Sequence, residues 1–241
     1  MTLAISIIAK DGIALASDSR VTSGDPRGPT TVNDTVKKIF ELGDYCGLAI
    51  AGDGGLGASI IDVIYYELHK NQNYHFFSID EMLVLCRNIA ISKYDEWFGQ
   101  VSFDDRPTLH IIISGYRKDI GNSYFIDSPE IFTLHSERNF AVHKWTLLGF
   151  MAIGITPFAT YLLNTLYTKE ITLKHALELA TFAILQTASQ DGKVGKDIQL
   201  ASISLQQVFK TYSPEETKEF LLKADQHKND LRKAFYLDQG Q

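Results

Sequence analysis

Residues 2–22 read Thr2-Leu3-Ala4-Ile5-Ser6-Ile7-Ile8-Ala9-Lys10-Asp11-Gly12-Ile13-Ala14-Leu15-Ala16-Ser17-Asp18-Ser19-Arg20-Val21-Thr22, and their reading decides the fold. Two apolar runs, Leu3–Ala9 and Ile13–Ser17, flank Lys10-Asp11-Gly12. An Asp-Gly pair between such runs predicts a β-hairpin. The first strand begins almost at once, so Thr2 stands on the rim of a sheet, where chain ends ordinarily fray. Thr2 is therefore either a passive end or a working group. Ser17 to Thr22 then sets polar side chains behind a strand otherwise fit for burial.

Outward from this hairpin, Lys38–Leu42 and Cys46–Ala51 predict two more strands around Gly43-Asp44. The period then changes: Ile60, Ile61, Ile64, Tyr65 and Leu68 fall at helical spacing. Ser78-Ile79-Asp80-Glu81 has the form of a capping box and opens a second helix to about Trp97. Strands are expected at Leu109–Ser114, Ser123–Ile126, Ile131–Leu134 and Lys144–Leu148. Helices follow at Phe158–Leu166 and Leu173–Ser189, then a closing strand at Ile198–Leu205. Strands and helix pairs in separate blocks argue for layered antiparallel sheets covered by helices. A second capping box, Ser213-Pro214-Glu215-Glu216, opens a largely charged helix to about Phe235. Its apolar stripe is thin, which suits packing on the outside or against a neighbouring subunit.

The 241 residues are 45% apolar and 22% charged, ordinary for one large globular domain or two small ones and enough to need no disulfide or metal staples. Cys46 and Cys86 lie inside apolar runs and read as core residues of a reducing compartment. The net charge of −6 disfavours a nucleic-acid partner. No apolar run reaches the ~18 residues of a membrane span. The start of the chain lacks the basic region, apolar core and cleavage site of a signal peptide. A cytoplasmic protein is expected.

Several motifs compete for the function. Gly52-Asp53-Gly54-Gly55-Leu56-Gly57 fits G-x-G-x-x-G after a strand and before a helix. A dinucleotide site also needs a βαβ unit with an acidic residue about 20 positions on, and that region is Gln72–His75, in a linker. The same glycines place backbone N–H groups at a strand end, where they can serve an oxyanion. The seven histidines show no metal-ligand spacing and read as surface or satisfied core residues; neither metal nor cofactor is expected. Lys37-Lys38 before an apolar strand can be two snorkelling surface amines.

Taken together, Thr2, Lys10-Asp11-Gly12, Asp18, Arg20, Thr22, Lys38 in Val36-Lys37-Lys38-Ile39, and Gly52 in Ala49-Ile50-Ala51-Gly52 resemble the mature β-subunit of the proteasome. The resemblance extends to its relatives among the N-terminal-nucleophile hydrolases, HslV peptidase and Anbu. It implies a four-layer αββα sandwich of the α+β class over residues 2–205, followed by a C-terminal helical extension over 206–241. It implies peptide or amide hydrolysis with Thr2 as nucleophile after loss of Met1. The free α-amine would be the base, Lys38 would tune it, Asp18 would hold Lys38, and Gly52 would supply the oxyanion N–H. Arg20 and Thr22 would line the cleft, and Val21, Val36, Phe40, Ile50 and Gly54 would form an apolar pocket for the residue before the cut. Asp191 occupies the place of a supporting acid. The supporting hydroxyls are replaced: Gly154-Ile155-Thr156-Pro157 stands for a Ser-rich turn and Val194 for a second Ser. The implied partners are a peptide or protein substrate and copies of the chain in a homo-oligomeric ring; any unfoldase partner is left open. Three alternatives stay open: a catalytically inactive ring scaffold, a specific amide hydrolase or transpeptidase, and a dinucleotide-binding protein.

Overall fold

The computed structural model describes residues 2–25, 28–119 and 124–236, with residues 22–25, 28–32 and 127 described by backbone alone. The opening alternation forms β1 (Leu3–Ala9) and β2 (Gly12–Asp18), paired with Ala4 opposite Ser17 and Ala9 opposite Gly12. The turn is therefore Lys10-Asp11, one residue earlier than the Asp-Gly signal suggests. The shift gives Asp11 a structural task. Its Oδ1 accepts the Leu173 N–H at 2.6 Å, anchoring the hairpin to the first turn of a helix over Leu173–Gln190.

A short hairpin, β3 (Val21–Asp25) and β4 (Gly28–Asn33), leads to β5 (Ile39–Gly43) and β6 (Cys46–Gly52). Helices α1 (Gly54–His69) and α2 (Ile79–Phe98) come next. They are followed by β7 (Leu109–Lys118), β8 (Phe125–His135), β9 (Ala141–Lys144) and β10 (Phe150–Gly154). The chain ends in α3 (Pro157–Leu166), α4 (Leu173–Gln190), β11 (Ile198–Ser204), β12 (Val208–Thr211) and α5 (Pro214–Tyr236). One sheet has the order β10-β1-β2-β11-β12 and the other β5-β6-β7-β8-β9. Every pairing in both is antiparallel. A parallel βαβ unit is thus absent among the described residues, and the glycines at 52–57 lie outside the context of a dinucleotide turn.

Side-chain alternation explains the layering. Leu3, Ile5 and Ile7 of β1 pack toward α3 and α4, while Ala4 faces the other sheet with Ile13, Leu15, Ala49 and Ile112. Leu48, Ile50, Ile111 and Ile113 turn the opposite way, onto α1 and α2. The result is helices, sheet, sheet, helices: the expected αββα sandwich. The α2 capping box forms as its sequence predicts, the Ser78 N–H donating to Glu81 Oε2 at 2.7 Å. Helix α5 packs along α4, burying Phe220 and Ala224 and leaving Leu231 and Phe235 exposed.

Three local expectations change. Ile131–Leu134 and the run before it form one strand, β8, of which the predicted Ser123 lies outside the described residues. Pro129 is tolerated there beside a register shift and before β9 begins to pair, so no ladder N–H is missed. The apolar run Trp145–Leu148 is no strand. It makes the turn between β9 and β10, with the Leu148 N–H donating to the Trp145 carbonyl at 3.0 Å, and carries the chain from one sheet to the other. Finally, β12 extends the first sheet beyond Leu205, pairing Ala201 with Thr211.

Between the two sheets Ser6 Oγ and Ser114 Oγ meet at 2.8 Å, both fully buried. Ser6→Ala should cost about 1–3 kcal/mol because it orphans the Ser114 hydroxyl. Replacing both hydroxyls should cost less than that single change. Urea unfolding of the two single variants and the double variant checks this; an additive double variant would contradict it.

Candidate active site

The β2 strand ends on Asp18, a fully buried carboxylate surrounded by donors. Its Oδ1 accepts the Leu3 N–H at 2.9 Å and the Lys38 ammonium at 3.1 Å. Its Oδ2 accepts the backbone N–H groups of Gly195 at 2.8 Å and Arg20 at 3.1 Å. One side chain thereby fastens β1, the turn after β2, the segment before β5, and the loop after α4. Lys38 is 3% exposed and also donates to the Arg20 carbonyl at 2.5 Å. Burial pulls the Lys38 ammonium below its ordinary range, with Asp18 opposing that shift. The Lys38 backbone is held in turn by Gln199, whose Oε1 accepts its N–H at 2.9 Å and whose amide donates to the Val36 carbonyl at 2.6 Å.

Thr2 is 4% exposed. Its carbonyl accepts the Ile155 N–H at 2.9 Å, while the next amide, Leu3, is held by Asp18. Gly154, at φ +88°, permits this contact, since a Cβ there would run into the Thr2 carbonyl. Beside Thr2 opens a cleft of about 180 Å³, lined by Lys38, Gly52 and the apolar side chains of Val21, Val36, Phe40 and Ile50. Ile61 and Ala58 of α1 close its far wall, and Lys37, Asp53 and Asp62 give it a polar rim. Asp53 caps α1 through the Leu56 N–H at 2.7 Å.

Gly52 is the last residue of β6. Its φ of +121° and the proximity of the Thr108 carbonyl leave no room for a Cβ. In an antiparallel strand alternate N–H groups point to opposite neighbours. The Ile50 N–H donates to the Lys38 carbonyl at 3.1 Å and the Asp53 N–H to Thr108 on the other side. The Gly52 N–H accordingly faces the Lys38 edge, past the start of β5, where the cleft lies.

The structure thus brings Thr2, Lys38 and Gly52 to one cleft, with Asp18 bonded directly behind Lys38. Val21, Val36, Phe40, Ile50 and Gly54, expected to form an apolar pocket, line the same cleft. Arg20 is not on it: its guanidinium makes two bonds to Asp34, at 2.6 and 2.8 Å, and one to the Gly192 carbonyl at 2.9 Å. The side chain of Thr22 and all of Met1 lie outside the described residues. Asp191 ends α4, and its carboxylate accepts the Lys193 N–H at 2.8 Å. Val194 is buried in the apolar core on the helix side. Gly195 and Gln199 were not legible as parts of the Asp18–Lys38 assembly. A glycine-bearing loop after a helix is a weak signal for the first, and none exists for the second.

The sequence profile of the proteasome subunit family matches residues 2–103. The proteasome subunit beta of Methanosphaera stadtmanae is 26% identical over 217 residues, covering 89% of this chain and 92% of the relative. That of Methanococcus vannielii is 26% identical over 231 residues, covering 94% of each. Among solved structures, the helical assembly of the Anbu complex from Pseudomonas aeruginosa superposes with a TM-score of 0.78. It is 16% identical and covers 97% of this chain and 95% of that one. A Gly-1 mutant of Anbu from Hyphomicrobium sp. strain MC1 gives a TM-score of 0.75 at 17% identity, covering 98% and 96%.

Breaking the Asp18–Lys38 pair from one side leaves an uncompensated charge inside the protein. Asp18→Asn should therefore lower stability by about 3–5 kcal/mol, and adding Lys38→Met should recover part of that loss. Urea midpoints check both, with the exposed Asp104→Asn as control. A midpoint for Asp18→Asn no lower than the control's would refute the pair's role.

Proposed function

The chain is a proteasome β-subunit-like protein of the N-terminal-nucleophile fold, and from that premise we propose that it is a threonine-type hydrolase of peptide (amide) bonds. Thr2 is its nucleophile, exposed as a free N-terminal residue once Met1 is removed. The observation that carries this reading is the convergence of Thr2, Lys38 and Gly52 on one cleft, with Asp18 bonded to Lys38.

The chemistry follows from those positions. The free α-amine of Thr2, with an ordinary pKa of about 7.7–8.0, takes the Oγ proton as Oγ attacks the scissile carbonyl. The Lys38 ammonium disfavours a second positive charge nearby and so keeps that amine unprotonated at neutral pH. The Gly52 N–H donates to the oxygen of the tetrahedral intermediate, a contact of a kind worth about 3–4 kcal/mol. The protonated amine then returns its proton to the leaving amine, forming an ester on Thr2, and water releases the acyl group by the reverse path. Asp191 is assigned a supporting role at the loop after α4. Thr22 is assigned backbone pairing with an extended substrate, and Arg20 the shaping of the turn beneath it. The catalytic unit is residues 2–205, and the 206–241 extension contributes contacts between subunits. Copies of the chain assemble into a homo-oligomer in the cytoplasm; the helical assembly of the Pseudomonas aeruginosa relative supports self-association.

A non-catalytic scaffold is the second reading, favoured by the apolar Ile155 and Val194 where hydroxyls would assist the amine. Intact mass separates the two at the first step, since a retained Met1 leaves no free amine. Thr2→Ala should lower turnover more than about a thousandfold while fold and oligomer persist; Lys38→Ala should also abolish turnover, but with a loss of stability, because it leaves the buried Asp18 carboxylate without its partner. Lys37→Ala should be tolerated. An epoxyketone should add its mass to the Thr2 peptide alone. Full activity in Thr2→Ala, or in protein that keeps Met1, would refute the mechanism. Fluorogenic peptides with an apolar residue before the cut should be cleaved faster than acidic ones; the reverse order would remove the assignment of the Val21–Ile50 wall.

A further inference from the structure

The histidines carry no ligand spacing along the chain, but the second sheet gathers three of them at one end. His110 of β7 lies directly opposite His135 of β8, their ring centroids 4.4 Å apart. His143 of β9 is opposite Thr133, one step away on the same face. Immediately after β8, Glu137 turns back so that its Oε1 meets His110 Nε2 at 2.7 Å. One ligand atom from each of His110, His135 and Glu137 falls within 4.8 Å of the others.

The geometry points to a binding site for a borderline divalent transition metal of the zinc class, held by His110, His135 and Glu137 with a water as fourth ligand. Two imidazoles and one carboxylate form a donor set suited to such ions and unsuited to calcium or magnesium, which want oxygen alone. Tetrahedral ligands at about 2.0–2.1 Å stand roughly 3.4 Å apart, so the His110–Glu137 pair, at 2.7 Å, has to open slightly while separations of up to 4.8 Å close. Rotation of Glu137, whose side chain is 44% exposed, together with the imidazole rings can supply that.

The surroundings already orient the carboxylate. Ser136 Oγ accepts the Leu109 N–H at 2.9 Å and donates to Glu137 Oε2 at 3.2 Å. Such outer partners fix a ligand's direction before the ion arrives. His143 is placed outside the ligand set, because its Nε2 faces the Arg138 guanidinium at 3.4 Å. Arg138 is also the cost of the site, a positive charge near the incoming cation. A second cluster, Glu41, Asp44 and His75, offers only one nitrogen and is the natural control.

The position gives the ion a consequence. His110 pairs with Ala51 and Leu109 with Gly52, so a metal here would tie β7 to the end of β8 directly behind the cleft floor. Titration of untagged, chelator-treated protein with cobalt(II) should give one equivalent of bound ion, visible d–d absorption of tetrahedral type, and a raised melting temperature. Displacement by zinc should abolish the colour. His135→Ala and Glu137→Gln should each weaken binding at least tenfold, whereas His75→Ala and His143→Ala should leave it unchanged. Circular dichroism of the apo variants distinguishes lost binding from lost fold, and Glu137, on the surface, is the variant that keeps the fold. No stoichiometric binding at micromolar cobalt or zinc, or equal binding in His135→Ala and Glu137→Gln, would overturn the site.

Discussion

The structure depends on a single buried ion pair. Asp18 and Lys38 lie with side chains 0% and 3% exposed, and desolvating two charges is unfavourable unless every lone pair and proton finds a partner. Here the partners come from the backbone. The Leu3, Arg20 and Gly195 amides complete the carboxylate, and the Arg20 carbonyl helps complete the ammonium. An apolar pair of similar volume would hold these segments together at no desolvation cost. What it would lack is direction, because dispersion does not fix where a strand must end.

The gross architecture was legible because its elements are driven by local pattern. Both faces of β1 and β2 are buried, so their sequences are nearly continuous apolar runs bounded by turn residues. The α2 start follows from a capping box that forms as written. The failures lie where tertiary context overrides pattern. Trp145–Leu148 is apolar enough for a strand, but the chain must cross between sheets there, and Leu147 is left 92% exposed. Pro129 splits the β8 pattern in sequence yet sits at a register shift, where a missing N–H costs nothing.

The candidate site divides in the same way. Lys38 and Gly52 are legible because their residue types are improbable for their settings: a lysine entering a buried strand, a glycine at a strand end where the backbone turns left-handed. The apolar wall of the cleft follows from strand alternation at Val36, Ile50 and their neighbours. Arg20 was not legible, since its charge is spent on Asp34 and the Gly192 carbonyl rather than the cleft. Gln199 was invisible for a different reason. Its contacts to Lys38 and Val36 span some 160 residues of sequence, and no local rule connects them.

The two hydrogen bonds that flank Thr2, from Ile155 to its carbonyl and from Leu3 to Asp18, bear on the entropy of any reaction there. A residue at the start of a strand ordinarily samples many orientations, and a reactive group on it must be frozen anew at each encounter. With the peptide on its C-terminal side clamped between the ends of β10 and β2, its two neighbours in the sheet, that loss of freedom is incurred during folding. A group brought up to Thr2 would then meet a backbone already fixed, with less freedom left to lose on encounter.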